Sequence, residues 1–229
     1  NWRKLKQIID SENPDIVVFA GDHNDSFYLD NDCDVRDASM FHKELLNKEN
    51  CIVLYGNHDI SVYPGSGPST KCSGYELRKD SIINSIFSIN DWDKIKWHVV
   101  VDDWLVTHAG LLPEHIKNVP IKDINNIDMF LESESIIANR ALKSGKSHWF
   151  WGAGIGRGGF ARHAGIVWTD WEYEFRPINN IKQICGHSNG GRVRRFSSVF
   201  PDNICIDCNL NEYLIIHNQK LEIKKYIDL

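Results

Sequence analysis

The chain has 229 residues, of which 42% are hydrophobic and 25% charged, with a formal net charge of −5. That length suits one large α/β domain, and an ordinary globular composition excludes disorder, collagen-like repeats and coiled coil. No apolar run reaches the roughly 18 residues of a membrane helix, and a mildly acidic chain lacks the basic surface of a non-specific nucleic-acid binder.

Apolar residues at 2, 5, 8 and 9 recur at helical spacing and predict a helix over 2–12, stopped by Asn13-Pro14. Residues 15–20 form a β-branched run ending at Gly21 and predict a buried strand. A helix over 37–48 and a strand over 51–55, again ending in Gly, follow. Residues 60–76 are rich in Pro, Gly, Ser and Thr and read as a long loop, followed by a helix over 79–89. The runs 98–101 and 104–107 flank Asp102-Asp103 as a hairpin. Residues 114–144 read as mainly helical, and 145–165 as a long glycine-rich loop of the kind that often carries function. Five strands are then expected, over 166–169, 182–185, 203–207, 213–217 and 221–226. Alternating α and β followed by a run of strands predicts an α/β fold, a layered sandwich of two mixed β-sheets flanked by helices, in a single domain over 1–229.

The six cysteines are too sparse for a disulfide scaffold. Cys205 and Cys208 form a lone C-x-x-C inside an alternating apolar run, without the second pair or nearby His of a zinc site, so buried free thiols and a cytoplasmic location are expected.

Four segments share one design, an apolar strand, a sharp turn, and metal-binding side chains at the strand's C-terminal end. They are Gly21-Asp22-His23-Asn24-Asp25, Gly56-Asn57-His58-Asp59, Thr107-His108-Ala109-Gly110 and Gly186-His187-Ser188-Asn189. Singly, each reads more readily as a turn or cap. Together they predict convergence, because ligands in open α/β sheets collect beyond the carboxyl ends of strands. A donor set of oxygens and imidazoles suits Mn, Fe, Zn or Ni better than Ca or Mg.

This ordered set resembles the calcineurin-like metallophosphoesterase superfamily, whose signature runs D-x-H, G-D-x-x-D, G-N-H-D/E, a His before small residues, and G-H. Gly56-Asn57-His58-Asp59 is the most specific piece, while Thr107 to Leu111, Val167 to Asp170 and Ile184 to Ser188 resemble the phosphoprotein phosphatase and diadenosine-tetraphosphatase branch, bacterial or phage type. The D-x-H motif has no counterpart, so the expectation is a chain truncated at its N-terminus, with the family's first strand and the ligands of its first metal site missing. The resemblance implies two divalent ions in the intact protein, manganese foremost, with Asp22, Asn57, His108 and His187 completing the second site. Two ions about 3.5–4 Å apart would then hold an attacking hydroxide, with His58 protonating the leaving oxygen and Asp25 orienting His58.

Asn57 is also expected to donate to the phosphate. Ser26 stands where the branch usually has Arg, so the phosphate-binding guanidinium is expected from Arg157, with Arg162 and Arg140 behind it. His23 is expected to form pocket wall without binding metal. The function implied is hydrolysis of a phosphomonoester or phosphoanhydride in a phosphoprotein or nucleotide. Two alternatives stand beside it. A nuclease or phosphodiesterase of the same superfamily is disfavoured by the net charge and by Asn189, where such members carry a second His. A binding module with an impaired site is the other.

Several local patterns point elsewhere more weakly. Asp30 to Asp34 starts like an EF-hand loop, but Val35 and Phe41 replace the Gly and the Glu it requires, leaving an acidic surface loop. Gly154 to Gly159 fits G-x-G-x-x-G without the strand and helix that motif needs. Trp149, Trp151, Trp168 and Trp171 read as core packing ahead of base stacking, and Arg192 to Arg195 as a solvated basic edge.

Overall fold

The computed structural model describes residues 2–25, 31–196 and 202–226. Helix α1 (Trp2–Glu12) lays Trp2, Leu5 and Ile9 against the core and ends where Asn13 turns left-handed (φ 43) before Pro14. Strand β1 (Val17–Phe19), helix α2 (Asp32–Leu46) and strand β2 (Cys51–Val53) form a crossover unit with β1 and β2 parallel, Val17 facing Cys51 and Phe19 facing Val53. The predicted start of α2 is five residues late. Asn31 caps it by accepting the Asp34 N–H (2.9 Å), and Asp32 and Asp34 occupy the first turn, where acidic side chains complement the helix dipole. The expected acidic surface loop is therefore a helix start from Asn31 onward; Asp30 lies outside the described residues.

After the short α3 (Asn57–Ser61), the helix expected over 79–89 divides into α4 (Leu77–Ile86) and α5 (Ile89–Trp92). Ser88 separates them through a capping box: its N–H donates to Asp91 Oδ2 (2.8 Å), and its hydroxyl accepts the Asp91 N–H (3.3 Å). The hairpin β3 (His98–Val101) and β4 (Trp104–Thr107) forms as predicted, turning at Asp102 with φ 53. Helices α6 (Pro113–Ile116) and α7 (Ile124–Lys143) lead to the glycine-rich loop, followed by β5 (Lys182–Cys185), β6 (Arg194–Arg195), β7 (Asn203–Cys205), β8 (Glu212–His217) and β9 (Lys220–Lys225). The strand expected over 166–169 is a turn. Ile166 and Val167 are apolar because they are buried, while their backbone pairs with loops: the Ile166 carbonyl accepts from Ala109, and the Val167 N–H donates to Phe150.

The described strands form a parallel β1-β2 pair, a mixed five-stranded sheet in the order β3-β4-β5-β7-β6, and a β8-β9 hairpin. The first two pack through both faces. Val17, Phe19, Val53 and Leu105 face the larger core with α2 and α7, while Val18, Ile52, Trp104, Val106 and Ile184 face a second core beneath β8 and β9. That two-sided burial explains the continuous apolar runs, since alternate side chains point to opposite faces. Glu12 ties α1 to the hairpin, accepting from Tyr213 Oη (2.5 Å) and Lys224 Nζ (2.9 Å).

The tryptophans near the glycine-rich loop are core, as expected: Trp151 and Trp171 are buried, and Trp149 and Trp168 pack onto the main cluster. Phe150, fully buried, sits among the rings of Trp97 (5.2 Å) and His148 (4.7 Å). Phe150→Ala is expected to destabilise the fold by about 3–5 kcal/mol, read as a lower urea midpoint at unchanged slope. All six cysteines are free, and Cys185, Cys205 and Cys208 are buried. The C-x-x-C pair does not act together: Cys205 Sγ donates to the Gly186 carbonyl, and Cys208 Sγ to that of Glu212. The basic cluster is not simply a solvated edge. Arg194 is bonded to Glu172 (2.8 Å), Cys205 Sγ (3.2 Å) and the Ser188 carbonyl, whereas Arg195 stays exposed. No helix among the described residues is long and apolar enough to cross a membrane.

Candidate metal centre

The C-terminal ends of β1, β2, β4 and β5 meet because short backbone links hold the turns that follow them. The Gly186 N–H donates to the His108 carbonyl (2.7 Å), joining the turns after β4 and β5. His108 Nδ1 donates to the Ala20 carbonyl (2.5 Å), joining β4 to the end of β1. Asp59 joins β1 to β2: fully buried at the third position of α3, it accepts at Oδ2 from the Asp22 N–H (2.8 Å) and the Gly56 N–H (2.9 Å). Asp22 and His187 themselves occupy left-handed backbone (φ 57 and 67), the sharp turns that aim both side chains back across the strand ends.

These links bring the four expected donors to one point. His108 Nε2 lies 3.3 Å from Asp22 Oδ2, 3.1 Å from Asn57 Oδ1 and 3.2 Å from His187 Nδ1. Ligands about 2.0–2.2 Å from a shared cation stand roughly 3.0–3.5 Å apart, so the spacing fits a single ion. Proton placement agrees. Because His108 gives its Nδ1 proton to Ala20, the neutral ring turns a bare Nε2 lone pair toward the Asn57 carbonyl oxygen and the Asp22 carboxylate. Acceptors facing one another need a positive charge between them. In its absence a proton serves: burial works against charging His108, yet the Asp22 carboxylate raises its pKa overall. Burial likewise opposes the Asp22 charge, and the three histidines 108, 58 and 187 nevertheless hold its carboxyl well below the usual range. His187 is held neutral by burial, with the charge of His108 second. Mutually perturbed groups at converging strand ends make this cluster the candidate functional site.

The expected proton-transfer pair lies directly beside this cluster. The His58 backbone N–H donates to Asp22 Oδ1 (2.9 Å), and His58 Nδ1 is 3.2 Å from Asp25 Oδ2. Burial disfavours the imidazolium, but the bonds to Asp25 and Cys72 and the charge of Asp22 outweigh it and raise the His58 pKa to about 11. Arg157, in the glycine-rich loop, reaches the same region. Its Nε is 2.8 Å from Asp170 Oδ2, and it donates through Nη2 to Ser188 Oγ (2.7 Å) and more weakly to the His187 carbonyl (3.5 Å). Arg140 sits in the last turn of α7 and Arg162 is exposed. Ser26 lies outside the described residues. His23 turns inward rather than lining the cluster, its ring 5.3 Å from that of His42 and its Nδ1 3.4 Å from Asp59.

Three participants, Asp207, Cys72 and Lys79, escape the sequence reading, and a fourth, Asp59, stands in a quoted motif without a role. Asp59 has a local signal, a carboxylate three residues after Gly56 where a capping side chain belongs. Asp207 follows β7 as Asp22 follows β1; burial raises its pKa, with His108 opposing. Cys72, 3.3 Å from His58 Nδ1, and Lys79, 3.5 Å from Asp25 Oδ1, arrive from a loop and a helix whose patterns carry no such signal.

A family model described as calcineurin-like phosphoesterase matches residues 1–190. Among solved structures, the chain is similar to a point mutant of a cold-active protein tyrosine phosphatase, with a TM-score of 0.62 at 18% identity over 91% of this chain and 66% of that one. It is also similar to the cold-active protein-tyrosine phosphatase of a psychrophilic Shewanella, with a TM-score of 0.58 at 17% identity over 91% and 66%. The chain thus spans slightly under two thirds of the structures it matches, and the likeness at this identity is one of fold. No curated protein matches it. With the family model spanning most of its length and the same fold in these phosphatases, the chain belongs to the calcineurin-like phosphoesterase family.

Proposed function

We propose that the chain is a metal-dependent phosphoesterase that hydrolyses a phosphomonoester or phosphoanhydride, with a phosphoprotein or a nucleotide as substrate. The observation that carries this reading is the approach of Asp22, Asn57 and His187 to within 3.3 Å of His108 Nε2, with the Asp25–His58 pair alongside. Asp22, Asn57, His108 and His187 would hold a divalent cation, and manganese suits their mixed oxygen and nitrogen donors. Bound divalent ions supply charge neutralisation for the phosphate and a water acidic enough to attack near neutral pH.

The chain's own groups do the rest. His58, kept protonated by Asp25, gives its proton to the departing oxygen, which would otherwise leave as a costly alkoxide. Asn57 ligates through its oxygen and can donate through its amide N–H to phosphate, where an Asp would repel it. Arg157, steered by Asp170 and Ser188, offers a guanidinium to the phosphate oxygens. Asn189 bonds Asp207 (3.3 Å), which disfavours a further ligand there and with it the nuclease reading. The similar solved structures are protein tyrosine phosphatases, which favours a phosphoprotein over a nucleotide.

The chain supplied with Mn²⁺ is expected to hydrolyse p-nitrophenyl phosphate, to lose that activity in EDTA and to regain it on adding metal back. Hydrolysis indifferent to chelation would end the proposal. A panel of phosphopeptides, nucleotides and dinucleoside polyphosphates then ranks the substrates by kcat/KM.

A further inference from the structure

Beside the candidate centre, around His58 Nδ1, lies a second set of donors with a different chemistry. Asp25 Oδ2 is 3.2 Å and Cys72 Sγ 3.3 Å from His58 Nδ1, and the three ligand atoms all lie within 4.8 Å of one another. Cys72 is held in place from its own loop. Its backbone N–H donates to Ser61 Oγ (3.3 Å), and the preceding Lys71 is anchored to the Ser61 carbonyl (2.5 Å) and over the Tyr75 ring (4.0 Å). Asp25 is 3% exposed; its Oδ1 lies 3.5 Å from Lys79 Nζ and its Oδ2 faces His58 Nδ1.

The geometry points to a separate site for a thiophilic divalent cation, zinc by preference, chelated by Asp25, His58 Nδ1 and Cys72. Sulfur, imidazole and carboxylate donors of a tetrahedral zinc stand about 3.3–3.6 Å apart, from bonds of roughly 2.0–2.3 Å, so the two separations from His58 Nδ1 need only a few tenths of an ångström of adjustment. Softness separates the two sites. The thiolate selects Zn²⁺, Cd²⁺ or Co²⁺, whereas the Asp22, Asn57, His108 and His187 set has no sulfur and accepts manganese. Binding displaces the protons of Cys72 and of His58 Nδ1 into solvent, because a ligand must present a lone pair. It also takes His58 Nδ1 and the Asp25 carboxylate out of the pair they form at 3.2 Å. Zinc at this site therefore shuts off the acid that the proposed function requires. The inhibition rests on that reading; the binding does not.

The test uses the 229-residue chain stripped of metal, supplied with Mn²⁺ and titrated with Co²⁺ under reducing conditions. A sulfur-to-cobalt charge-transfer band in the near ultraviolet is expected to saturate at one equivalent, to persist in Cys51→Ser and to vanish in Cys72→Ser and Cys72→Ala. In the unmutated chain, Zn²⁺ but not Mn²⁺ should slow alkylation of Cys72, because a coordinated thiolate is no longer a free nucleophile, while the exposed Cys33 reacts as before. Zn²⁺ should inhibit p-nitrophenyl phosphate hydrolysis by the Mn²⁺-supplied chain, and the same zinc should remove a smaller fraction of the activity that Cys72→Ser shows without zinc. No band in the unmutated chain, a band that survives both Cys72 variants, or alkylation of Cys72 that zinc does not slow overturns the site. A Cys72-dependent band in a chain that hydrolyses no phosphoester upholds the site and overturns the proposed function instead.

Discussion

Replacing His58 by Asn is expected to lower kcat by about 10²–10⁴-fold, the usual worth of a positioned general acid, while Mn²⁺ content stays near that of the unmutated chain. The separation follows from placement: the ring lies beside the four-donor cluster with Nδ1 bonded to Asp25, while the backbone N–H of His58 donates to Asp22 Oδ1. An Asn keeps that backbone bond and removes the acid. Loss of manganese together with activity would instead make His58 a ligand. Asp25→Asn supplies a directional check. The Asp25 hydrogen bond is a main reason that His58 holds its proton up to about 11 despite burial. The acid must be protonated to act, so activity declines as pH rises through its pKa. Without the Asp25 charge that pKa falls, and the alkaline limb of kcat/KM should move to lower pH.

Gly56→Ala is expected to disable the centre without replacing a proposed ligand. A Cβ at this position would sit 2.1 Å from Asp22 Oδ1 and 2.5 Å from the Asp22 backbone nitrogen. Neither the ligand carboxylate nor the backbone can give way cheaply, because the Asp22 N–H and the Gly56 N–H both converge on the Asp59 carboxylate. Overpacking of this kind costs about 1–3 kcal/mol of stability. Manganese affinity should drop by about 10²-fold or more, at the upper end of what disturbing the support of a metal ligand does. Equilibrium dialysis against Mn²⁺ and a thermal melt separate the two effects. Gly67→Ala, where an added Cβ meets only the Gly145 carbonyl at 3.9 Å, is the control and should leave both unchanged. Equal manganese binding by Gly56→Ala would mean that Asp22 does not need the clamp.

The strand ends were legible because each carries its own local pattern, a β-branched run, a glycine and a polar ligand, and strand direction alone sends those ligands to one edge. The run over 166–169 misled for the complementary reason. A short apolar segment reads alike whether it enters a sheet or is simply covered, and only the loop contacts of Ala109 and Phe150 decide between them. The helix over 79–89 misled at Ser88, whose capping box is visible in the residue types but competes with an uninterrupted apolar period.

What the sequence determined by itself is the order of most elements, the burial of the strands, and the gathering of polar turn residues at four strand ends, all of which rest on patterns within a few residues. The roles proposed for Asp22, Asn57, His108 and His187 and for the Asp25–His58 pair rest on the family resemblance of those turns. What tertiary structure alone decided is how those ends are held and what stands around His58. The Asp59 clamp joins turns 37 residues apart, His108 reaches the Ala20 carbonyl across 88, and Cys72 and Lys79 meet His58 and Asp25 only because one loop and α4 fold back over them. Contacts between distant segments leave no period and no spacing in the chain, because their energy comes from partners that become neighbours only once the core has formed.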